Sequence, residues 1–257
     1  MSLQIAGTAM VPLPQRALHL PAHDLLLVAD AHIGKAQSFR RLGVPVPGGT
    51  TAGTLARLDA ALAACGARHI VFLGDLLHAR RGRNPATEAT VARWRDGHPE
   101  LTLTLVRGNH DHHAGDPPAA WGVHCVDGPL MLPAAVLADP AAPTAPTAPT
   151  APTAPIAPIA SIAPTAPTTA TDILPLGLAL SHHPEPLPGA YVLAGHIHPA
   201  VRLGGRAHDS LRLPCFHFGP AVGVLPAFGE FTGMHVLSRG PQDRVFVVAG
   251  EAVRELR

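Results

Sequence analysis

The sequence predicts an α/β fold in which two β-sheets are sandwiched between helices. Short apolar runs alternate with helical segments in the first part of the chain, whereas beyond residue 172 short strands are separated by Gly/Pro turns. The composition agrees with a packed fold, because 47% of the 257 residues are hydrophobic. We therefore expect a single domain over residues 1–257.

Apolar runs and helical spacing define the elements. Four runs rich in Val, Leu and Ile end in Gly, Asp or Asn, which is typical of buried strands. They are Leu25–Ala29, His69–Leu73, Leu101–Val106 and Tyr191–Ala194. Between the first two runs, an amphipathic helix is predicted to end at Gly66, and a second helix is predicted from about Pro85 to Asp96. The further strands predicted beyond residue 172 are LGLALSH, LRLPCFHF, EFTGMHVLS and DRVFVVAGE.

A repeat interrupts this pattern and accounts for much of the proline. From Ala142 to Thr168 the sequence consists of nine triplets, mostly Ala-Pro-Thr, and no charged residue occurs between Asp139 and Asp172. Proline at nearly every third position excludes a helix and favours an extended polyproline II segment. We interpret residues 141–171 as a disordered low-complexity surface insert. A docking peptide or rigid spacer is the alternative, although the repeat lacks basic or aromatic anchors.

Charge and cysteine content exclude several classes of protein. Nineteen Lys+Arg against eighteen Asp+Glu give a formal net charge of +1, so binding to a polyanion would require a local basic patch. The longest aliphatic run, Leu25–Ala29, is too short to span a bilayer, and the N-terminus lacks a signal-peptide pattern. The separated Cys65, Cys125 and Cys215 argue against a disulfide framework. We expect a soluble, cytoplasmic protein without a membrane partner.

Five polar motifs follow predicted strands. They are Asp30-Ala-His32, Gly74-Asp75, Gly108-Asn109-His110-Asp111, Ser181-His182-His183-Pro184 and Gly195-His196-Ile197-His198. Each motif alone is compatible with ordinary turn chemistry, but five motifs that each close an apolar strand are hard to obtain by chance. Since functional groups converge at the carboxyl ends of strands in α/β sheets, we expect these motifs to form one site.

The side chains in these motifs predict a hydrolytic metal centre. Carboxylate, imidazole and amide donors suit Mn, Fe, Zn, Co or Ni, and thiolate, which would favour a closed zinc site, is missing. One carboxylate can bridge two ions about 3.5–4 Å apart, and such a pair can activate water and hold a phosphate in line. The composition of the motifs therefore indicates a site for two divalent ions.

The motifs also carry a family resemblance. In order, DAH, GD, GNHD, SHHP and GHIH match the signature of calcineurin-like metallophosphoesterases. Two longer stretches, residues 29–58 and 211–233, resemble the ligase-associated DNA damage response endonucleases of the PdeM branch. The resemblance covers nearly the whole chain except the insert. It implies a four-layer α/β/β/α sandwich and a metal-dependent phosphodiesterase.

The resemblance also implies roles for individual residues. It implies that Asp30, His32 and His198 bind one metal ion, that Asn109, His182 and His196 bind the other, and that Asp75 bridges both. His183 is the alternative to His182. His110 is the expected general acid, with Asp111 orienting its ring. Mn is the favoured metal, with Fe, Zn, Co and Ni as alternatives.

The substrate is the least defined part of the prediction. Lys35, Arg40 and Arg81 are candidates for contacts to substrate phosphate, although each is also compatible with a local structural or solvated role. The family name implies DNA as the substrate, with a DNA ligase and a helicase as functional associates. Two alternatives stay open: a small-molecule phosphoesterase with the same metal chemistry, and a non-catalytic interaction module on this fold.

Overall fold

The computed structural model describes residues 1–133, 177–205 and 209–256, and two β-sheets dominate them. The insert predicted at residues 141–171 lies outside the described residues. The first sheet has seven strands that lie side by side in chain order. Strands β1 to β4 pair antiparallel, and β4 to β7 pair parallel. The strands are β1 (Leu3–Ile5), β2 (Thr8–Pro12), β3 (Leu18–Leu20), β4 (Leu25–Val28), β5 (His69–Leu73), β6 (Thr102–Val106) and β7 (Val123–Val126).

Helices pack on the outer face of this first sheet. The described α-helices are α1 (Lys35–Arg41), α2 (Thr50–Cys65), α3 (Pro85–Asp96) and α4 (Asn109–Ala114). Leu55 and Leu58 of α2 belong to the same buried cluster as Phe72 of β5. Helix α2 ends at Gly66, which adopts φ 70° and donates its N–H to Leu62, so the predicted stop is confirmed.

The second sheet has nine strands and also contains parallel strand pairs. Strand β10 lies between β9 and β13 and is parallel to both, and β14 is parallel to β11. The order is β14-β11-β12-β13-β10-β9-β8, with β15 on β12 and β16 on β15. The strands are β8 (Leu130–Pro133), β9 (Gly177–Leu180), β10 (Tyr191–Ala194), β11 (Pro199–Gly204), β12 (Ser210–Phe218), β13 (Val222–Val224), β14 (His235–Val236), β15 (Arg244–Ala249) and β16 (Ala252–Leu256).

The two sheets share a core. Leu27 and Leu73 of the first sheet lie in one buried cluster with Leu193, Phe216 and Phe246 of the second. Alternate residues of β4 point away from this cluster and toward the helices, which explains why the whole strand is apolar. The predicted mixed α/β fold with two sheets is thus confirmed. The described residues supply an α/β/β arrangement, and the fourth layer stays a prediction.

Most predicted element boundaries agree with the structure. Strands β5 and β10 and helix α3 have the predicted bounds, and β4 is one residue shorter than predicted. The stretch EFTGMHVLS forms only the two-residue strand β14. It begins with a turn at Glu230 and Phe231, and the two residues just before it, Phe228 and Gly229, donate to the Ala29 and Asp30 carbonyls after β4. Across the described residues, no helix combines the length and the hydropathy that crossing a membrane requires.

The carboxyl ends of the two sheets approach each other closely at glycines. Gly74, directly after β5, has φ 76°, and a Cβ atom there would overlap the imidazole of His182, which follows β9. A Cβ atom at Gly195, after β10, would lie 2.7 Å from Asp30 Oδ2. Glycine at these positions therefore lets side chains from one sheet reach the backbone of the other.

Gly74→Ala should destabilise the protein more than Gly128→Ala. Both glycines have positive φ, at 76° and 75°, but nothing lies within 4 Å of a Cβ at Gly128. The shared backbone strain should cost about 1–2 kcal/mol, and overpacking against His182 should add about 1–3 kcal/mol in the first variant only. Urea unfolding of both variants measures the difference. Equal losses would show that the sheets are not held as closely as the structure indicates.

Candidate metal centre

The five polar motifs meet at the carboxyl ends of five strands. Asp30 follows β4, Asp75 follows β5, and Asn109 begins α4 after β6. From the second sheet, His182 follows β9 and His196 follows β10. Since β4, β5 and β6 are mutually parallel, as are β9 and β10, their motifs emerge at common edges.

The backbone at this junction is held in an unusual conformation. Eight non-glycine residues of the described chain have positive φ, and five of them are predicted metal ligands: Asp30, His32, Asp75, His196 and His198. Left-handed conformations at residues other than glycine store strain and persist only where surrounding contacts enforce them. Here main-chain hydrogen bonds between the motifs provide those contacts, including His32 N–H to the Asp75 carbonyl at 2.8 Å.

One group of donor atoms converges between the first and last motifs. His32 Nε2 lies 3.3 Å from His198 Nε2, and His198 Nε2 lies 3.6 Å from Asp30 Oδ1. Asp75 Oδ2 is 3.9 Å from His32 Nε2. The structure therefore brings together the three residues predicted for the first ion, with one oxygen of Asp75 beside them.

A second group lies on the other side of Asp75. His182 Nε2 is 2.9 Å from Asn109 Oδ1, 3.0 Å from His196 Nδ1 and 3.5 Å from Asp75 Oδ1. Asp75 thus directs one carboxylate oxygen to each group. This is the arrangement that a bridging carboxylate requires.

Of the two adjacent histidines after β9, His182 occupies the centre of the second group. Its side chain is buried, whereas His183 is exposed. The His183 ring packs beside those of His182 and His196, with centroids 4.8 and 4.6 Å away. The geometry favours His182 as the donor and places His183 at the rim.

Comparison with solved structures identifies a full-length relative. The crystal structure of the Pseudomonas putida nuclease MPE has 37% sequence identity and a TM-score of 0.72, and the match covers 100% of this chain and 99% of that chain. The chain belongs to the metallophosphoesterase family. It is a metal-dependent phosphoric ester hydrolase. The phosphoesterase YfcE from E. coli has 13% identity over 90% of this chain and 97% of its own, but its TM-score of 0.38 carries no conclusion. No protein-family model and no curated protein matches the chain.

The protonation of His182 fits the metal ions that a metallophosphoesterase uses. His182 Nδ1 lies 3.0 Å from the Leu73 carbonyl, which can only accept, so Nδ1 carries the proton. Nε2 therefore directs a lone pair toward the oxygens of Asn109 and Asp75. Acceptors that face one another repel unless a cation lies among them, and a backbone acceptor on the opposite ring nitrogen is typical of metal-binding histidines.

The charge balance of the metallophosphoesterase centre also fits divalent ions. Asp30 and Asp75 are buried, and no Lys or Arg of residues 1–133, 177–205 and 209–256 forms an ion pair with either. Burial lowers the pKa of His32, His182 and His196, so these rings are neutral at pH 7. Burial raises the pKa of Asp75 as well. Buried carboxylates without a cationic partner are costly, and bound cations would supply the missing charge.

The predicted role of Asp111 is wrong. Its Oδ1 accepts the Leu77 N–H at 2.9 Å and its Oδ2 accepts the Gly108 N–H at 3.0 Å, so the carboxylate caps α4 and anchors the chain after β5. The His110 ring is held instead by the His78 carbonyl, which accepts from His110 Nδ1 at 2.7 Å. The Asp111 carboxylate points toward main-chain N–H groups because the residue lies in the first turn of a helix. Short acidic side chains at that position accept hydrogen bonds from free N–H groups.

His78 is a functional neighbour that sequence reasoning missed. Its ring stacks on that of His110 with centroids 4.7 Å apart, and it lies edge-on to His32 at 5.4 Å. Burial, and then the charge of His110, lowers the pKa of His78 to about 4. The sequence offered one signal for His78: it lies only three residues after Asp75, and therefore close to the carboxyl end of β5.

The three basic residues predicted to contact phosphate lie in different settings. Arg40 donates to the Val46 and Pro47 carbonyls at 3.2 and 2.8 Å, so it holds the loop after α1. Lys35 is half-buried at the start of α1, and burial lowers its pKa while Asp30 and Asp75 raise it. Arg81 is exposed and close enough to His78 to lower its pKa. Lys35 and Arg81 thus lie near the metal centre, and a phosphate contact stays a prediction for all three.

Divalent ions should stabilise this protein through Asp75. Each bound Mn²⁺ ion, at a free concentration about a hundred times its Kd, should add about 2.7 kcal/mol to the free energy of unfolding and raise Tm accordingly. Asp75→Asn, which keeps the shape but removes the charge, should lose most of this shift. Asp96→Ala removes a carboxylate that is exposed at the end of α3 and serves as the control. Thermal unfolding with Mn²⁺ and with EDTA tests this, and an equal shift in all three proteins would contradict the assignment.

Proposed function

We propose that this metallophosphoesterase is a nuclease that hydrolyses phosphodiester bonds in DNA with two divalent ions. The observation that carries the proposal is Asp75, whose two oxygens face two separate groups of nitrogen and oxygen donors. The relative from Pseudomonas putida, itself described as a nuclease, supports the same activity. Asp30, His32 and His198 would hold one ion, and Asn109, His182 and His196 the other.

The residues of the chain would divide the reaction between binding and proton transfer. When bound, the two ions neutralise phosphate charge and activate water for in-line attack. His110 is positioned to protonate the leaving oxygen, because its Nδ1–H is held by the His78 carbonyl and its Nε2 is directed toward the centre, 4.0 Å from Asp75 Oδ2. The main-chain N–H of His110 donates to Asp75 Oδ1 at 2.9 Å and fixes the bridging carboxylate.

The exposure of the centre favours a polymeric substrate over a small one. His183 and His196 are exposed, and the side chain of His110 is 36% exposed, so one side of the centre faces solvent. A small-molecule phosphoesterase would be expected to enclose its substrate more completely. The exposed Arg81 near His78 would supply positive charge beside a DNA backbone, as would Lys35 at the start of α1.

The finer parts of the proposal rest on the resemblance to PdeM-like enzymes. They are Mn as the metal, a role in ligase-associated DNA repair with a DNA ligase and a helicase as associates, and a place in the cytoplasm. The donor set is compatible with Mn, since it combines carboxylate, amide and imidazole groups. The fourth layer of an α/β/β/α sandwich belongs to the same proposal.

Substitutions in the second donor group should strongly slow hydrolysis of a small activated diester. With Mn²⁺, the wild-type protein should cleave bis(p-nitrophenyl) phosphate, and Asn109→Ala or His196→Ala should lower kcat at least about a hundredfold, the scale for losing one transition-state stabiliser. The control is His183→Ala, which removes the exposed ring beside the group and should retain most activity. Asp75→Ala serves as the blank.

Two outcomes would contradict the proposal. Wild-type rates in both ligand variants, with metal content intact, would exclude the two-ion assignment. Activity of the wild-type protein no higher than that of the Asp75→Ala blank would support a non-catalytic module on this fold.

His110→Ala should discriminate between leaving groups. Loss of a general acid should slow cleavage of single-stranded DNA, whose alkoxide leaves poorly, by about 10²–10⁴-fold. The p-nitrophenyl diester should be affected far less, because its leaving group is stable without a proton. Measuring kcat for both substrates, with metal content as a control, checks the role. Equal losses on both substrates would indicate that His110 acts on the metal centre rather than on the leaving oxygen.

A further inference from the structure

A second cleft, of about 420 Å³, lies outside the metal centre. It is bounded by the loop between β2 and β3, the outer side of α2, β12, and the turn between β15 and β16. Its volume falls within the range of about 300–1,000 Å³ that is typical of small-ligand sites. None of its lining residues is a predicted metal ligand. The charged lining residues are Arg16, Arg57 and Glu251, two positive and one negative, so the lining has a net positive charge.

Arg16 occupies a backbone position that does not favour arginine. Its N–H donates to the Leu13 carbonyl at 3.0 Å, and the Leu13 N–H donates to Ala17 at 2.8 Å, so the loop forms a tight hairpin turn. Arg16 has φ 65° there, a left-handed conformation that glycine or asparagine adopts with less strain. The strained backbone conformation is thus found at a residue whose side chain lines the cleft.

The guanidinium of Arg16 also lacks a hydrogen-bond acceptor among the described residues. Arg57 donates to the Phe228 carbonyl and lies 3.4 Å from Glu230 Oε1, so its guanidinium is largely engaged. Within the described parts of the chain, no residue accepts a hydrogen bond from the Arg16 side chain. Burial lowers the pKa of Arg16, repulsion from Arg57 lowers it further, and the negative charge of Glu230 raises it in part. An anion between the two guanidinium groups would relieve this repulsion.

Gln15 adds a polar group without a partner. Its Oε1 is buried and accepts no hydrogen bond from the described residues. A ligand that satisfies the cleft therefore needs an anionic group for Arg16 and an N–H or O–H donor for Gln15. A nucleotide has both, in its phosphate and in its sugar or base.

We propose that this cleft binds the phosphate of a nucleotide, either free or within a nucleic acid chain. The second source rests on the proposed nuclease function. The cleft is tied to the metal centre through Phe228, whose carbonyl accepts from Arg57 and whose N–H donates to the Ala29 carbonyl at 2.8 Å, next to Asp30. A phosphate held between Arg16 and Arg57 would thus lie beside an arginine that is hydrogen-bonded to the segment supporting the first metal ligand.

The test compares Arg16→Asn with Arg93→Gln in the full Mn²⁺-loaded chain. Asparagine tolerates the left-handed conformation, so the first variant removes the charge without adding strain. Arg93 is exposed on α3, away from the cleft, and its replacement removes one equal charge. Three probes are titrated with both variants and with the wild type, over a series of salt concentrations: a fluorescein-labelled phosphorothioate single-stranded DNA, AMP and inorganic phosphate.

Arg16→Asn should weaken binding of the DNA about tenfold, the scale of one lost hydrogen bond to a charged group. It should also reduce the slope of log K against log salt by about 0.7, which a purely structural role would not do. Arg93→Gln should bind as the wild type does. If AMP or phosphate binding depends on Arg16, the cleft accepts a free nucleotide or its phosphate. If only DNA binding depends on Arg16, the cleft binds a phosphate within a nucleic acid chain. Unchanged affinity and slope for every probe would overturn the proposal.

Hydrolysis of bis(p-nitrophenyl) phosphate separates this proposal from the proposed function. The cleft shares no residue with the predicted metal ligands, so Arg16→Asn should cleave this small substrate at the wild-type rate. No cleavage by the wild type would refute the hydrolytic function alone. Normal cleavage together with unchanged DNA, AMP and phosphate binding in Arg16→Asn would refute the cleft alone.

Discussion

The junction between the two sheets depends on the burial of two carboxylates, Asp30 and Asp75. Asp30 and Asp75 are buried where the sheets meet, and no Lys or Arg of the described chain forms an ion pair with either. Some of their oxygens accept main-chain N–H groups, from His196 and His110, and this requires the backbone to approach very closely. This close approach explains why glycines lie beside each carboxylate. It also explains why several predicted ligand residues adopt left-handed backbone conformations. Bound cations would supply the positive charge that this junction lacks.

The sequence could predict the fold class and the members of the site because both depend on local patterns. Strand β5 is an unbroken apolar run between polar residues, and Gly66 ends α2 where the helical spacing stops. Parallel strands that end in Asp, Asn or His motifs place those side chains at the same edge of the sheet, whatever the details of packing. The convergence of Asp30, Asp75 and His182 could be predicted from the direction of the strands alone.

What the sequence could not predict depends on contacts between distant segments. The family resemblance implied that Asp111 orients the His110 ring, but the helix turn directs the carboxylate to the Leu77 and Gly108 N–H groups. The stretch EFTGMHVLS resembles a strand, yet the chain that enters it is held beside the end of β4, where Gly229 N–H donates to the Asp30 carbonyl. In both cases a hydrogen bond formed in the tertiary structure decides the outcome over local propensity.

The anchor of His110 has a consequence for how the site can be mapped by mutagenesis. Because the acceptor is the main-chain carbonyl of His78, no side-chain replacement deletes it. An alanine scan would therefore detect the ring of His110 but not the group that orients it, and could rank its neighbours as dispensable. Ester-for-amide substitution in the backbone, which weakens a carbonyl acceptor, reaches an interaction that ordinary codon changes cannot.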